Sequence, residues 1–468
     1  VASSDPLCGV KRRSIREKLI FLSFDGEKTT NYDANSVMNA PIQPPARSSK
    51  LSEDIFAPAL EQKARALFDA VAVVRSYMHT SYAERSLYAV YHEAKLLEDY
   101  LDSHGAADNK RFHLIREEVS GLKWISQALS CLSLLKSGPI PYPAASADWS
   151  QGGLDNHVEA STASLHEYLE KLFTQLCSSW VGADLSLITP KEVEVAIHPP
   201  MPILPPDLVS DDDRDANEDS KAIAPRYLSR FIRLFNNWDV ATTQRLVPGS
   251  DTDLFMKTYC TEATARSFQS KVHNLQSDYD SHLRNTSLEL ASPQLRKVRG
   301  SVSECLHLLE AVTALTHLYE RHHHRTRIST AVPWDALVAL IANHLILPAY
   351  KSLESCIPLA QQLLNELTIS DSVVVELIDG VEMHARPLSM IANMVKHHGL
   401  DIEIECAGQR ANAASFMAML VLIGSHPEVT TYTFHGDSVA IADIKQLFAL
   451  GLGDTDLDAV TKAFPFLK

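Results

Sequence analysis

The stretch EMHARPLSMIANMVKHHG, Glu382 to Gly399, sets an imidazole, a guanidinium and a proline at the mouth of a run with helical periodicity. The amides of a first helical turn have no partners within the helix and carry the positive end of its dipole, so they receive anions well. His384, just before those amides, can act as a nucleophile. The backbone at Ala385 and Arg386 can then hold the resulting dianion, and Arg386 adds a planar fork of donors suited to phosphate. Pro387 falls where a missing amide costs nothing. The chemistry implied is capture of a phosphoryl group, and the plainer alternative is that His384 and Arg386 only cap a helix.

Other clusters imply less. In ERHHHRTR, Glu320 to Arg327, three adjacent histidines point in different directions around a helix, so a solvated, dipole-complementing helix end is expected rather than a metal site. His397 and His398, before Gly399, read the same way. The acidic residues from Asp211 to Asp219 lack the glycine and closing glutamate of a calcium loop and read as solvated chain. The cysteines at 8, 131, 177, 260, 305, 356 and 406 form no CxxC pair, which suggests reduced thiols. No phosphate-binding GxxxxGK[ST] loop, GxGxxG fingerprint or GxSxG elbow occurs, and no metal or cofactor is expected.

The elements that must position these residues span 468 residues, enough for two or three domains. A formal charge of −15 argues against nucleic acid as a partner. The apolar run Leu19 to Phe24 is too short for a signal core or a membrane span, so no membrane insertion and a cytoplasmic location are expected. Residues 1–52 end in a proline and serine stretch and read as a partly mobile segment. Helical periodicity fills 53–197, with the loop GPIPYPAASADWSQGG inside it, and returns over 226–370. Between them, 198–225 is proline-rich and then acidic, a linker or long loop. The two helical stretches are either two domains or one body. The apolar run WDALVALIANHLILPAYKSL fits internal packing or a homodimer interface equally. At Asp371 the period changes: SVVVELI, LDIEIEC and EVTTYTF read as strands, alternating with helices over Ala385 to His398, around SFMAMLVLIG, and in DSVAIADIKQLFALG, with Asp437 or Ser438 as N-cap. The expected fold is mainly α: a large helical body, then an α+β open-faced sandwich over 371–453 whose antiparallel sheet three helices cover on one side, then a C-terminal tail, 454–468.

HARP at 384–387, the order of strands and helices, GQRANAASFMAML and the late FHGDS turn resemble the histidine-containing phosphocarrier protein, HPr, of the phosphoenolpyruvate-dependent phosphotransferase system. The resemblance covers about Asp371 to Gly451. It implies that a ring nitrogen of His384 accepts a phosphoryl group from an Enzyme I-like donor and passes it to a downstream acceptor or regulatory protein, with Arg386 stabilising the transfer. Ser415, at the start of the second helix, falls where such proteins carry a regulatory serine. The chain would be a carrier in a relay rather than an independent catalyst. The helical body does not supply the donor's chemistry, because QGGLDNH is not the GGxTSH-like motif that holds Enzyme I's active histidine; it reads as a partner-binding or regulatory module. The alternative is a non-phosphorylated scaffold that uses an HPr-like domain for binding, favoured by the negative charge of Glu382 beside the imidazole.

Overall fold

The computed structural model describes residues 50–76, 81–137, 153–190, 218–324, 328–368, 370–378 and 380–467. The expected mobile segment up to residue 49, the loop at 138–152, the proline-rich stretch through 217, and Arg325 to Arg327 lie outside them.

Helices α1 (Glu53–Ser76), α2 (Ser81–Ser103), α3 (His113–Ser137) and α4 (Gly153–Gly182) follow the three-and-four spacing of their apolar residues. After them come α5 (Glu218–Asn236), α6 (Thr252–Tyr259), α7 (Glu262–His282), α8 (Ser287–Ala291), α9 (Pro293–His322), α10 (Trp334–Leu340) and α11 (Leu347–Leu367). Helix α5 begins at Glu218, seven residues before the expected end of the linker at 225.

Helix α9 is the axis of this body. Helices α3, α7 and α11 pack around it, and it is buried nearly all round, from Leu295 and Val298 through Leu308, Leu315 and Tyr319. Each of its large apolar side chains contributes about 1.5–3 kcal/mol on burial, and the polar groups taken in with them must find partners. Arg299 donates to Asp280 of α7 at 2.9 and 2.7 Å, and Glu304 accepts from Ser352 of α11 at 2.8 Å. One continuous apolar cluster joins Phe56 of α1 to Leu363 of α11. The run Trp334–Leu367 is long and apolar enough to cross a membrane by length and composition, yet 61% of its apolar window is buried inside the body.

Between α10 and α11 the chain makes a π turn, Ile341–Ile346. The turn sets His344 against His157 of α4, with their Nδ1 atoms 3.2 Å apart. Nearby, the Asn343 side chain accepts from Leu246 N at 2.9 Å and donates to Leu246 O at 2.8 Å.

Residues after 369 form a second core. Strands β1 (Ser370–Glu376), β2 (Glu403–Cys406), β3 (Gln409–Asn412) and β4 (Thr431–Asp437) make an antiparallel sheet in the order β1-β4-β2-β3. Alternation sorts its two faces. Val375, Ile404, Cys406, Tyr432 and Phe434 point inward. On the open face, Arg410 donates to Glu405 at 2.8 Å and to Glu403 at 3.2 Å, and His435 Nε2 lies 3.1 Å from Glu405. Helices α12 (Ala385–His398), α13 (Phe416–Gly424) and α14 (Ser438–Ala449) cover the apolar face, with Asp437 as the N-cap of α14. Strand β3 was not expected, because QRAN is polar and lacks apolar alternation. The expected tail is instead built into this core: α15 (Leu457–Ala463) and the turn after it bury Val460, Phe464 and Leu467.

Helix α12 ends at Gly399, whose φ of 76° is the left-handed conformation that a helix C-cap needs and glycine adopts freely. Its carbonyl accepts from both Ser229 and Arg233 of α5.

The histidine pair gives folding a pH dependence. Burial lowers the pKa of both imidazoles; the facing His344 and Arg245 add to this for His157, and Arg245 for His344. The folded rings therefore bind protons less readily than unfolded ones, so the stability they contribute is complete above the ordinary imidazole value of about 6.5 and is lost as pH falls through it. The urea midpoint should drop between about pH 7 and pH 5, and His157→Gln should flatten that drop; an unchanged slope would contradict this account.

Candidate functional site

His384 is the N-cap of α12, in an extended conformation with φ −118° and ψ −170°. The helix forms there because Leu388, Ile391, Met394 and Val395 fall on one stripe and bury against the sheet. The His384 amide donates to the Glu382 carbonyl at 3.1 Å and its carbonyl accepts from Leu388 N at 3.2 Å, closing the first turn. Both ring nitrogens are then engaged. The Arg386 amide donates to Nδ1 at 3.3 Å, and Nε2 lies 2.7 Å from Oδ2 of Asp454.

That geometry fixes the tautomer. A backbone N–H can only donate, so Nδ1 presents a lone pair and the ring proton resides on Nε2, which donates to the carboxylate. The ring is reachable, with its side chain 51% exposed, whereas Asp454 is held at 16%. Nδ1 thus offers a nucleophilic lone pair aimed at the helix opening, and the long Arg386 contact can be exchanged for a phosphoryl oxygen. Ala385 and Arg386 are exposed beside it. The Arg386 guanidinium is 61% exposed and reaches Oδ1 of Asp454 at 3.5 Å, a distance and exposure at which an ion pair orients more than it stabilises.

Asp454 escaped the sequence reading, which placed it at the start of a tail. It is delivered by the turn Gly451–Leu452–Gly453, whose φ values of 67°, 52° and 78° are all left-handed. Glycine takes these values freely, but Leu452 does so at a cost of order 1–3 kcal/mol while fully buried. The turn packs on α12, and Asp454 N donates to Gly451 O at 2.9 Å. A Gly-Leu-Gly-Asp sequence after a helix was the available signal. Glu382, the acid expected to influence the imidazole, is exposed, and the carboxylate that meets the ring is Asp454.

Ser415 is half-buried and caps α13, accepting from Ala418 N at 3.2 Å. Helices α12 and α13 pack together, and α13 turns Met417, Leu420 and Val421 to solvent.

Two of the histidines read as solvated helix ends, His322 and His398, are not, whereas His324 and His397 are exposed. His322 is buried: its Nδ1 meets Glu117 at 2.8 Å and its Nε2 meets Ser120 at 3.1 Å, because α9 runs on against α3. This serine–histidine–acid chain is sealed, with Ser120 wholly inaccessible, and it joins helices rather than meeting a substrate. His398 is likewise buried, with Nε2 2.9 Å from Asp443, and His397 stacks on Phe466 with ring centroids 3.6 Å apart. Among the described residues, no three metal-binding side chains converge, and the described cysteines are unpaired.

The tautomer assignment is open to a direct check by ¹⁵N NMR of the neutral His384 ring. The parent should show the Nε2-protonated form dominating, and Asp454→Ala should give a mixture; the same mixture in both proteins would refute the role given to Asp454.

No curated protein and no solved structure matched the chain. The segment that builds this helix opening did match: residues 371–449 fit the family model described as the PTS HPr component phosphorylation site, and the C-terminal part of the chain is an HPr-like domain.

Proposed function

We propose that the protein is a cytoplasmic phosphoryl carrier and regulatory protein in a phosphoenolpyruvate-dependent phosphotransferase relay, accepting phosphate on Nδ1 of His384. The HPr-like domain supports a phosphocarrier role with a phosphoryl donor and an acceptor as protein partners. The observation that carries the reading is an exposed imidazole whose unprotonated nitrogen faces the first amides of α12.

The transfer follows from that arrangement. The Nδ1 lone pair forms a bond to phosphorus as the bond from phosphorus to the donor's nitrogen breaks. The Arg386 amide leaves Nδ1 and, with the Ala385 amide and the Arg386 guanidinium, turns to the phosphoryl oxygens. Asp454 keeps the proton on Nε2 and offsets the positive charge that grows on the ring. The step is reversible, and handing the group to the acceptor is the same motion backwards. The apolar face of α13 lies beside α12 and is suited to docking a partner. The helical body, 53–197 with 226–370, selects partners or senses state. A phosphate on Ser415 would sit at the N-terminus of α13 and displace the Ala418 amide, adding a second level of control. The competing reading is a scaffold that uses the domain only for binding; it rests on Glu382, exposed two residues before His384.

Incubation with phosphoenolpyruvate and a competent Enzyme I should give an acid-labile phosphoprotein. His384→Ala should abolish it, Ser415→Ala should retain it, and Arg386→Ala should slow its formation by roughly ten- to a hundredfold, the worth of one charge-assisted hydrogen bond. Absence of label with cognate donors would select the scaffold.

A further inference from the structure

The helical body holds an open cavity of about 410 Å³, within the range of roughly 300–1,000 Å³ usual for small-molecule sites. It lies at the foot of α5: Asn237 and Trp238, the first residues after that helix, line it together with side chains from α6, α7 and α9. Its floor is apolar and aromatic. Trp238 and Phe268 meet edge to face, with ring centroids 4.3 Å apart at 66°, and Leu309 and Val312 close the base. The indole N–H is already committed to Thr242 Oγ1 at 2.8 Å, so the ring offers surface rather than a hydrogen bond.

The charges at the rim are unequal in what they have left to give. Asp239, the carboxylate of the lining, caps the short helix Val240–Thr243 by accepting from the Ala241 amide at 3.0 Å. Lys271, the ammonium of the lining, is exposed and has no acidic partner among the described residues. An aromatic floor with a cation at its edge that no carboxylate contacts favours a flat apolar body bearing a single negative group.

We propose that this cavity is a binding site for a small aromatic anion, with the ring system on Trp238 and Phe268 and the anionic group on Lys271. The inference stands apart from the phosphoryl reading, because it concerns the helical body alone and is tested by binding alone. The probe is 1-anilinonaphthalene-8-sulfonate, an aromatic body with one negative group, titrated into the full chain. A single class of sites with blue-shifted emission is expected. Lys271→Glu and Ala263→Trp, the latter filling the cavity from an exposed lining position, should each weaken binding roughly tenfold or more, the size of one charge-assisted hydrogen bond. The uncharged analogue N-phenyl-1-naphthylamine should bind roughly tenfold more weakly to the parent and ignore Lys271→Glu. Both substituted residues are exposed, so thermal melts should coincide with the parent's; should Ala263→Trp shift the melt, Lys271→Glu decides alone. Equal affinity for the sulfonate in the parent and Lys271→Glu, an equally tight neutral analogue, or no binding at all would overturn the assignment.

Discussion

The imidazole of His384 is held from both sides, by an amide that can only give a proton and a carboxylate that takes one. The chemistry proposed for the C-terminal domain depends on that asymmetry. With the proton kept on Nε2, the opposite nitrogen keeps its lone pair at the start of α12, where the first amides have no partner within the helix. On the proposed reading, the reversed tautomer would put a hydrogen where the phosphorus has to arrive. The rest of the small domain serves this geometry: the sheet seats α12, the apolar stripe of α12 fixes its rotation, and the turn after α14 brings the carboxylate to the ring.

That turn concentrates the domain's conformational cost. A buried leucine in a left-handed conformation is unfavourable alone and persists because both neighbours are glycine and because Leu452 fills the core. Asp454, which meets the imidazole, thus lies beyond the matched segment, 371–449. The large helical body is organised differently, around one helix buried nearly all round, in which Arg299 meets Asp280 and Glu304 meets Ser352.

How much was legible in the sequence followed from how local each feature is. His384, Arg386 and Pro387 at a helix opening, and Gly399 at its close, are signals confined to a few neighbours, and the helix spans the expected Ala385 to His398. The apolar stripes of α1 to α4 and α9 were readable for the same reason. Asp454 was not, because its role needs a contact across seventy residues of chain and a backbone conformation that a Gly-Leu-Gly sequence permits without announcing. His322 and His398 misled because adjacent histidines look solvated until the partners that bury them, Glu117 and Asp443, are in place. Strand β3 is paired by its backbone to β2, and its polar side chains carried no period to read.

The last carbonyl of α12 is gripped by two donors from α5, while the apolar clusters on either side remain separate. Loss of either donor would leave that terminal oxygen with one partner in place of two, and neither apolar interior would be opened by it.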